Sequence, residues 1–311
     1  MGGRHLSEPY LSVYGHVTVD QIISIERFLD PGITADALSK KTTLGGTGPN
    51  IAVSAARLGC PTALCAFVGP DFPAKYMDLM RDSGLVMDEV VTLEDEETST
   101  CVIINDRDLV TRVFFYQGPQ GHADETGVRL DRMARVSERV HFCTGQPSYY
   151  ISLMRDLRGG PAIGLDPAQE VHRVWNPDLV WQAMPMADVL FCNELEAETL
   201  QRYLGIGDVL DAGPSLVVRT EGDMGSVARV DGETVRIPAV KAARAVDVTG
   251  AGDNYRAGFY AALYRGYEVP EALLMAASVA SFAVEEVGAL NNTPTWDQVV
   301  ERAEPYLGGI C

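Results

Sequence analysis

The chain has 311 residues, enough to bury a sizeable core in one large α/β domain or two smaller ones. With 46% hydrophobic and 22% charged residues, its composition excludes a disordered chain. The net charge of −18, from 43 acidic and 25 basic side chains, argues against a nucleic-acid binder and against docking on anionic lipid, since both need a basic footprint.

Along the chain, short apolar runs alternate with helical patterns, which predicts a mostly parallel sheet flanked by helices. Strands are expected at 10–17, 62–68, 140–143, 162–165, 189–192 and 216–218. Between the second and third of these lie two β-rich stretches, 98–105 and 111–116, parted by the turn-like Asp106-Arg107-Asp108. They read as a hairpin standing outside the main sheet as a lid. Asp166, Asn193 and Thr220 close the last three strands. Ligands of open α/β sheets bind outside the carboxyl ends of strands, so these residues could converge on one crevice. Each could equally be a helix cap or a turn former. Farther on, Asp231-Gly232 separates 225–230 from 233–240, a hairpin signal that predicts an antiparallel edge.

No linker, low-complexity run or internal repeat divides the chain. No signal peptide opens it, and no run of about 18 apolar residues suggests a membrane span. Cys60, Cys65, Cys101, Cys143, Cys192 and Cys311 form no CxxC pair. They are expected to be mostly buried thiols of a protein in the reducing cytoplasm, rather than zinc ligands.

Two glycine motifs carry the chemistry. The first is Leu44-Gly45-Gly46-Thr47-Gly48-Pro49-Asn50, leading into a helical stretch that Gly59 ends. Pro49 suits a first helical turn, and the glycines suggest close ligand approach. No Gly-Lys-Ser/Thr follows, so this is not a Walker A loop, and the spacing is not that of a dinucleotide fingerprint. Asn50 could hydrogen-bond a sugar hydroxyl. The second motif is Asp247-Val248-Thr249-Gly250-Ala251-Gly252-Asp253, which opens a helix expected to reach about Arg265. Gly250, Ala251 and Gly252 lie where unpartnered amides and the helix dipole favour an anion. Asp253, beside a transferring phosphate, could take the proton of the attacking hydroxyl. The alternative is a tight turn with Asp253 as a simple helix cap.

Together the two motifs resemble the ribokinase/PfkB family of carbohydrate and nucleoside kinases over nearly the whole chain. The resemblance implies a single three-layer α/β/α domain over 1–311, with a small β lid drawn from segments near 10–48 and 97–118. It implies Asp253 as catalytic base, with Gly250, Ala251 and Gly252 as the anion-stabilising loop. Asp20, closing Gly15-His16-Val17-Thr18-Val19-Asp20, matches the substrate-binding aspartate, alongside Gly45, Gly46 and Asn50. Asn193 and Glu196 match an Asn-x-x-Glu motif near Mg²⁺ and phosphate, Glu196 reaching the metal through water. Thr220, Gly222 and Gly225 match a nucleotide-binding turn, although Arg219 and Glu221 are atypical neighbours. Asp247 and Thr249 belong to the ATP side, Asp247 orienting the network or a monovalent cation. Residues 277–289 are expected to line the adenine pocket. ATP and Mg²⁺ are the implied cofactors, and a homodimer through the lid is a possible assembly.

The acceptor is less determined. Phe114-Phe115-Tyr116-Gln117-Gly118 resembles the lid stretch of adenosine and archaeal-type nucleoside kinases, and Arg256 points to the same branch. Phe115 could stack on a nucleobase, which favours the 5′-hydroxyl of a nucleoside. Ribose, fructose or a related sugar or sugar phosphate is the alternative acceptor. A non-catalytic nucleoside- or sugar-binding regulator is the alternative of another class, and the intact Asp253 loop argues against it.

Overall fold

The computed structural model describes residues 8–30, 32–108 and 110–310; Cys311 lies outside them. In chain order the first elements are β1 (Leu11–Tyr14), β2 (Thr18–Ile25), β3 (Ala37–Gly45), α1 (Thr47–Arg57), β4 (Thr62–Val68), α2 (Ala74–Asp82) and β5 (Val86–Thr92). Next come β6 (Thr100–Asn105), β7 (Thr111–Tyr116), α3 (Arg132–Val136), β8 (Arg139–Phe142), α4 (Pro147–Asp156), β9 (Ala162–Leu165) and α5 (Pro177–Ala183). The last are β10 (Val189–Asn193), α6 (Glu194–Leu204), β11 (Leu216–Thr220), β12 (Ser226–Val230), β13 (Glu233–Ile237), α7 (Ala251–Tyr264), α8 (Val269–Ala283) and α9 (Trp296–Ala303).

Nine strands form the central sheet in the order β13-β12-β11-β10-β9-β8-β1-β4-β5. All neighbours pair in parallel except β11–β12 and β12–β13. The antiparallel edge is the hairpin expected around Asp231-Gly232; both residues have positive φ, at 49° and 89°, as a tight two-residue hairpin turn requires. Side chains alternate across the sheet. Leu11, Val13, Leu64, Ala66 and Phe191 face α1, α2, α7, α8 and α9. Tyr14, Cys65, Phe67, Leu190 and Cys192 face α3, α4, α5 and α6. The sheet is therefore buried on both faces, which is why its strands read as continuous apolar runs. Cys60, Cys65, Cys143 and Cys192 are buried free thiols, and Cys101 is half-buried on the lid.

A second sheet, β3-β2-β6-β7, makes the lid. The hairpin expected at 98–105 and 111–116 is β6–β7 within it. Between β1 and β2 the chain leaves the central sheet at Gly15, and β3 returns it to α1. This departure lies where the winding reverses, since β1 is flanked by β4 on one side and β8 on the other. A reversal of strand order opens a crevice at the carboxyl edge of an α/β sheet. Among the described residues, no helix is long and apolar enough to cross a membrane.

Helix α7 is held to the molecule by close backbone approach to α8. A Cβ on Gly258 would lie 2.8 Å from Val279 Cγ2 and 2.9 Å from Ala276 Cα. Gly258→Val is therefore expected to separate the two helices. Overpacking of this kind costs about 1–3 kcal/mol, to be read as a lower urea midpoint with an unchanged slope.

Candidate active site

The acceptor side is built by the lid and the first glycine motif. Sheet register sets Asp20 of β2 beside Thr43 of β3 and Cys101 of β6, and Cys101 beside Phe115 of β7. Laterally paired residues point the same way, so Asp20 and Phe115 share one face of the lid. Asp20 Oδ1 accepts a 2.5 Å hydrogen bond from Thr18 Oγ1, and burial raises its carboxyl above the usual range. Gly45 is glycine because a Cβ there would stand 2.0 Å from Asp20 Oδ2. Gly46 has φ 93°, and its Cβ would meet the His16 carbonyl oxygen at 2.1 Å. It is the N-cap of α1, whose first turn carries Asn50.

Asn50, expected to contact a sugar hydroxyl, is bonded to the second glycine motif. Its Nδ2 donates to Asp253 Oδ2 at 2.8 Å, joining residues 203 positions apart. Its Oδ1 is buried without a hydrogen-bond partner. A buried unpaired acceptor is costly unless something fills it, and a substrate hydroxyl is a donor of the right kind. Asn50 thus reaches Asp253 with one end and leaves the other open to a donor.

The phosphoryl side is the start of α7. Gly250, in the left-handed conformation, is the N-cap, and no side chain caps the helix. The turn is tied down by Asp247, whose Oδ1 and Oδ2 each accept a 2.9 Å bond, from the N–H groups of Thr249 and Gly288. These bonds hold the Asp247 carboxyl below its ordinary value despite the opposing effect of burial. Asp253 is pushed up to about 7, chiefly by burial and with help from Asp166 and Glu196, against the lowering pull of Asn50 and Arg256.

Asn193 and Glu196 form a reciprocal cap at the start of α6. Glu196 N–H donates to Asn193 Oδ1 at 2.9 Å, and Asn193 N–H donates to Glu196 Oε2 at 2.8 Å. This satisfies two helix-end donors and aims the Glu196 carboxyl toward the Arg256 cluster, where burial pushes it up to about 7. Thr220 pairs laterally with Asn193 at the same sheet edge. Gly222 and Gly225 both have positive φ in the turn that follows; a Cβ on Gly225 would strike the Ile237 carbonyl oxygen at 2.2 Å. Arg219 and Glu221, the atypical neighbours, pair with each other at 2.7 Å. Residues 277–283 lie in α8 and are mostly buried in the core, leaving 284–289 as the part beside Asp247 and Gly250.

Two features were not assigned from the sequence. Arg256 is buried, with Nε donating to Asp166 Oδ2 at 2.8 Å. Its position one turn after Asp253 was the available signal. Glu170 is also buried and is pushed up to about 7 by desolvation. It accepts hydrogen bonds from Gly145 N–H at 2.6 Å and from the lid residue Gln117 at 3.3 Å. Phe115 meets His16 edge-on at 5.2 Å, with the Arg173 guanidinium 5.3 Å from its ring centre. Glu170 sits in a short 3₁₀ turn, Ala168–His172, too brief for any periodicity to mark it.

The pfkB family carbohydrate kinase profile matches residues 8–296. The nucleoside kinase of Methanocaldococcus jannaschii is 32% identical, covering 98% of this chain and 99% of its own. That of Methanothermobacter thermautotrophicus is 33% identical, covering 96% of each chain. The crystal structure of the M. jannaschii nucleoside kinase, an archaeal member of the ribokinase family, superposes with a TM-score of 0.88 at 31% identity over 96% of this chain and 99% of that one.

Gly45→Ala should displace the Asp20 carboxylate and leave the start of α7 unchanged. A hydrogen bond to a charged group is worth about 1.5–3 kcal/mol. The acceptor KM should therefore rise about tenfold or more while the ATP KM stays within about threefold; an equal rise in both would remove Asp20 from the acceptor side.

Proposed function

The chain belongs to the pfkB family of carbohydrate kinases, and we propose that it transfers the ATP γ-phosphate to the 5′-hydroxyl of a nucleoside. The observation that carries the chemistry is the Asp253 carboxyl, poised at about 7 at an uncapped helix start and bonded to Asn50. The nucleoside acceptor rests on full-length similarity to two nucleoside kinases and on Phe115 sharing a lid face with Asp20.

In this reading Asp20 accepts the vicinal hydroxyls of the ribose, whose base lies toward Phe115. Asn50 Oδ1 accepts from the sugar while its Nδ2 fixes Asp253. The Asp253 carboxylate takes the proton of the 5′-hydroxyl as that oxygen bonds to the γ-phosphorus. The bond from γ-phosphorus to the bridging oxygen breaks, and ADP leaves. Amides of 250–253 face the charge on the transferring group. Lid closure over the sugar excludes water, which would otherwise accept the phosphoryl group.

Among the described residues, no group of three or more His, Cys, Asp or Glu could hold a metal by itself. An ion of the Mg²⁺ type keeps several waters and takes one or two carboxylates plus substrate phosphates. Glu196 has one carboxylate oxygen outside its helix cap and would hold such an ion through water. Bound there, Mg²⁺ would neutralise charge on the ATP phosphates.

The lid also presents exposed apolar side chains. Phe114 and Tyr116 are 58% and 49% exposed and alternate with the inward Phe115; Leu38 on β3 is 53% exposed. We propose that a second copy of the chain covers them. Phe114→Glu with Tyr116→Glu should convert a dimer into a monomer in sedimentation equilibrium; a wild-type monomer at all concentrations would reject the dimer.

Purified protein with ATP should release ADP with nucleosides well above the rate with ribose, fructose or sugar phosphates. Phosphorylation of free hexoses alone would overturn the nucleoside reading. Asp253 is a base only when ionised, and its carboxyl is raised to about 7. Turnover should thus fall about tenfold per pH unit below that value and level off above it. Asp253→Asn should abolish this limb and cost roughly 10²-fold or more in kcat with the fold intact by circular dichroism.

A further inference from the structure

Arg256 stands one turn after Asp253, and three or four residues of separation put side chains on one face of a helix. Its side chain is only 4% exposed. Nε donates to Asp166 Oδ2 at 2.8 Å, and Nη1 donates to the Gly252 carbonyl at 3.2 Å. The guanidinium lies 5.1 Å from the centre of the Phe191 ring, which limits its movement on the sheet side. Asp166 is itself 3% exposed, and its Oδ1 accepts from Ala168 N–H. A chain of contacts therefore runs from the end of β9 through Arg256 to the peptide immediately before Asp253.

The charges around this point do not balance. Asp166 enters from the end of β9, Glu196 from the first turn of α6, and Asp253 from α7 itself. Cys192 of β10 and Cys143 after β8 are neutral thiols, raised by burial. His141 of β8 approaches Asp166 at 4.0 Å but is lowered to about 4 by burial and is neutral. Its Nδ1 is engaged with Tyr260 at 2.9 Å. Among the described residues, Arg256, through its bond to Asp166, is the only cation hydrogen-bonded to any of Asp166, Glu196 and Asp253. Without it, these three carboxyls would have no hydrogen-bonded counter-charge.

We infer that Arg256, anchored by Asp166 and bonded to the Gly252 carbonyl, is a positioning residue that fixes Asp253 in place for proton abstraction. This rests on the proposed role of Asp253 as base. It does not depend on which acceptor is used.

The test is a double-mutant cycle between position 256 and Asp253, run with whichever acceptor the wild-type protein phosphorylates. If nucleosides fail and ribose succeeds, the nucleoside reading falls while the cycle remains readable. Arg256→Gln should lower kcat roughly 10²-fold and leave the KM values for acceptor and ATP within about threefold. Arg256→Lys should recover at least about tenfold of that loss by restoring the charge. In an Asp253→Asn background, Arg256→Gln should cost less than about threefold more, because the group it serves is already gone. A full additional loss in that background, or a loss carried by KM alone, would overturn the inference and leave Arg256 a structural residue. If Arg256→Gln does not fold, the cycle is run with Arg256→Lys, whose kcat loss must likewise vanish in the Asp253→Asn background; persistence of the loss overturns the inference.

Discussion

The site depends on negative charge that outnumbers its counter-charge. Asp166, Glu196 and Asp253 lie near one guanidinium at the carboxyl edge of the sheet, and Asp166 is paired with it. Burial chiefly, with repulsion from the neighbouring carboxyls, raises Glu196 and Asp253 to about 7. A carboxyl so placed is a stronger base than one in water yet still ionises near neutrality, which suits proton abstraction from an alcohol. The start of α7 offsets part of the cost, since its dipole favours an anion in the first turn.

Such a cluster works only if its members cannot move apart, and much of the surrounding structure serves that end. The reciprocal Asn193–Glu196 cap fixes one carboxyl. Asp247 staples the turn before α7 to Gly288. Asn50 grips Asp253 from α1 while the close approach at Gly258 holds α7 against α8. The glycines play two different parts here. Gly45 yields space to a neighbouring carboxylate, whereas Gly46 supplies a backbone conformation that starts a helix. Both put Asn50 and Asp20 on opposite sides of the same short loop, so lid and base are placed by adjoining residues.

The legible parts of this molecule were the local ones. Strand 62–68, the Asp231-Gly232 turn and the helix after Gly252 follow from apolar runs and from residues with special backbone freedom. The strand ends Asp166, Asn193 and Thr220 do lie at one edge, because parallel strands carry their carboxyl ends to the same side. Strands β2 and β3 were harder. Much of β3 is exposed, and Ser39-Lys40-Lys41-Thr42-Thr43 shows no alternation, since neither face of the lid is sealed against a core. The pairing of Asn50 with Asp253 and that of Arg256 with Asp166 link residues 203 and 90 positions apart. Nothing local encodes such contacts, and they decide what the motif residues do.

In the proposed reading, acceptor choice turns on the lid in the same non-local way. Neighbouring strands lie about 4.8 Å apart, so Asp20 and Phe115, two strands apart in register, stand about 10 Å from each other across the lid face. A free pentose that engages Asp20 and presents a hydroxyl to Asp253 would leave the Phe115 end of that span empty. A nucleoside fills it, with the diol at Asp20 and the base toward the ring. His16 and Arg173 already brace Phe115 from the main domain, and Glu170 ties the following lid residues to the same wall through Gln117. The aromatic residue is therefore held against the main domain rather than left on a free strand. In the proposed reading, that bracing turns a lid of ordinary alternating sequence into a surface that selects for a base.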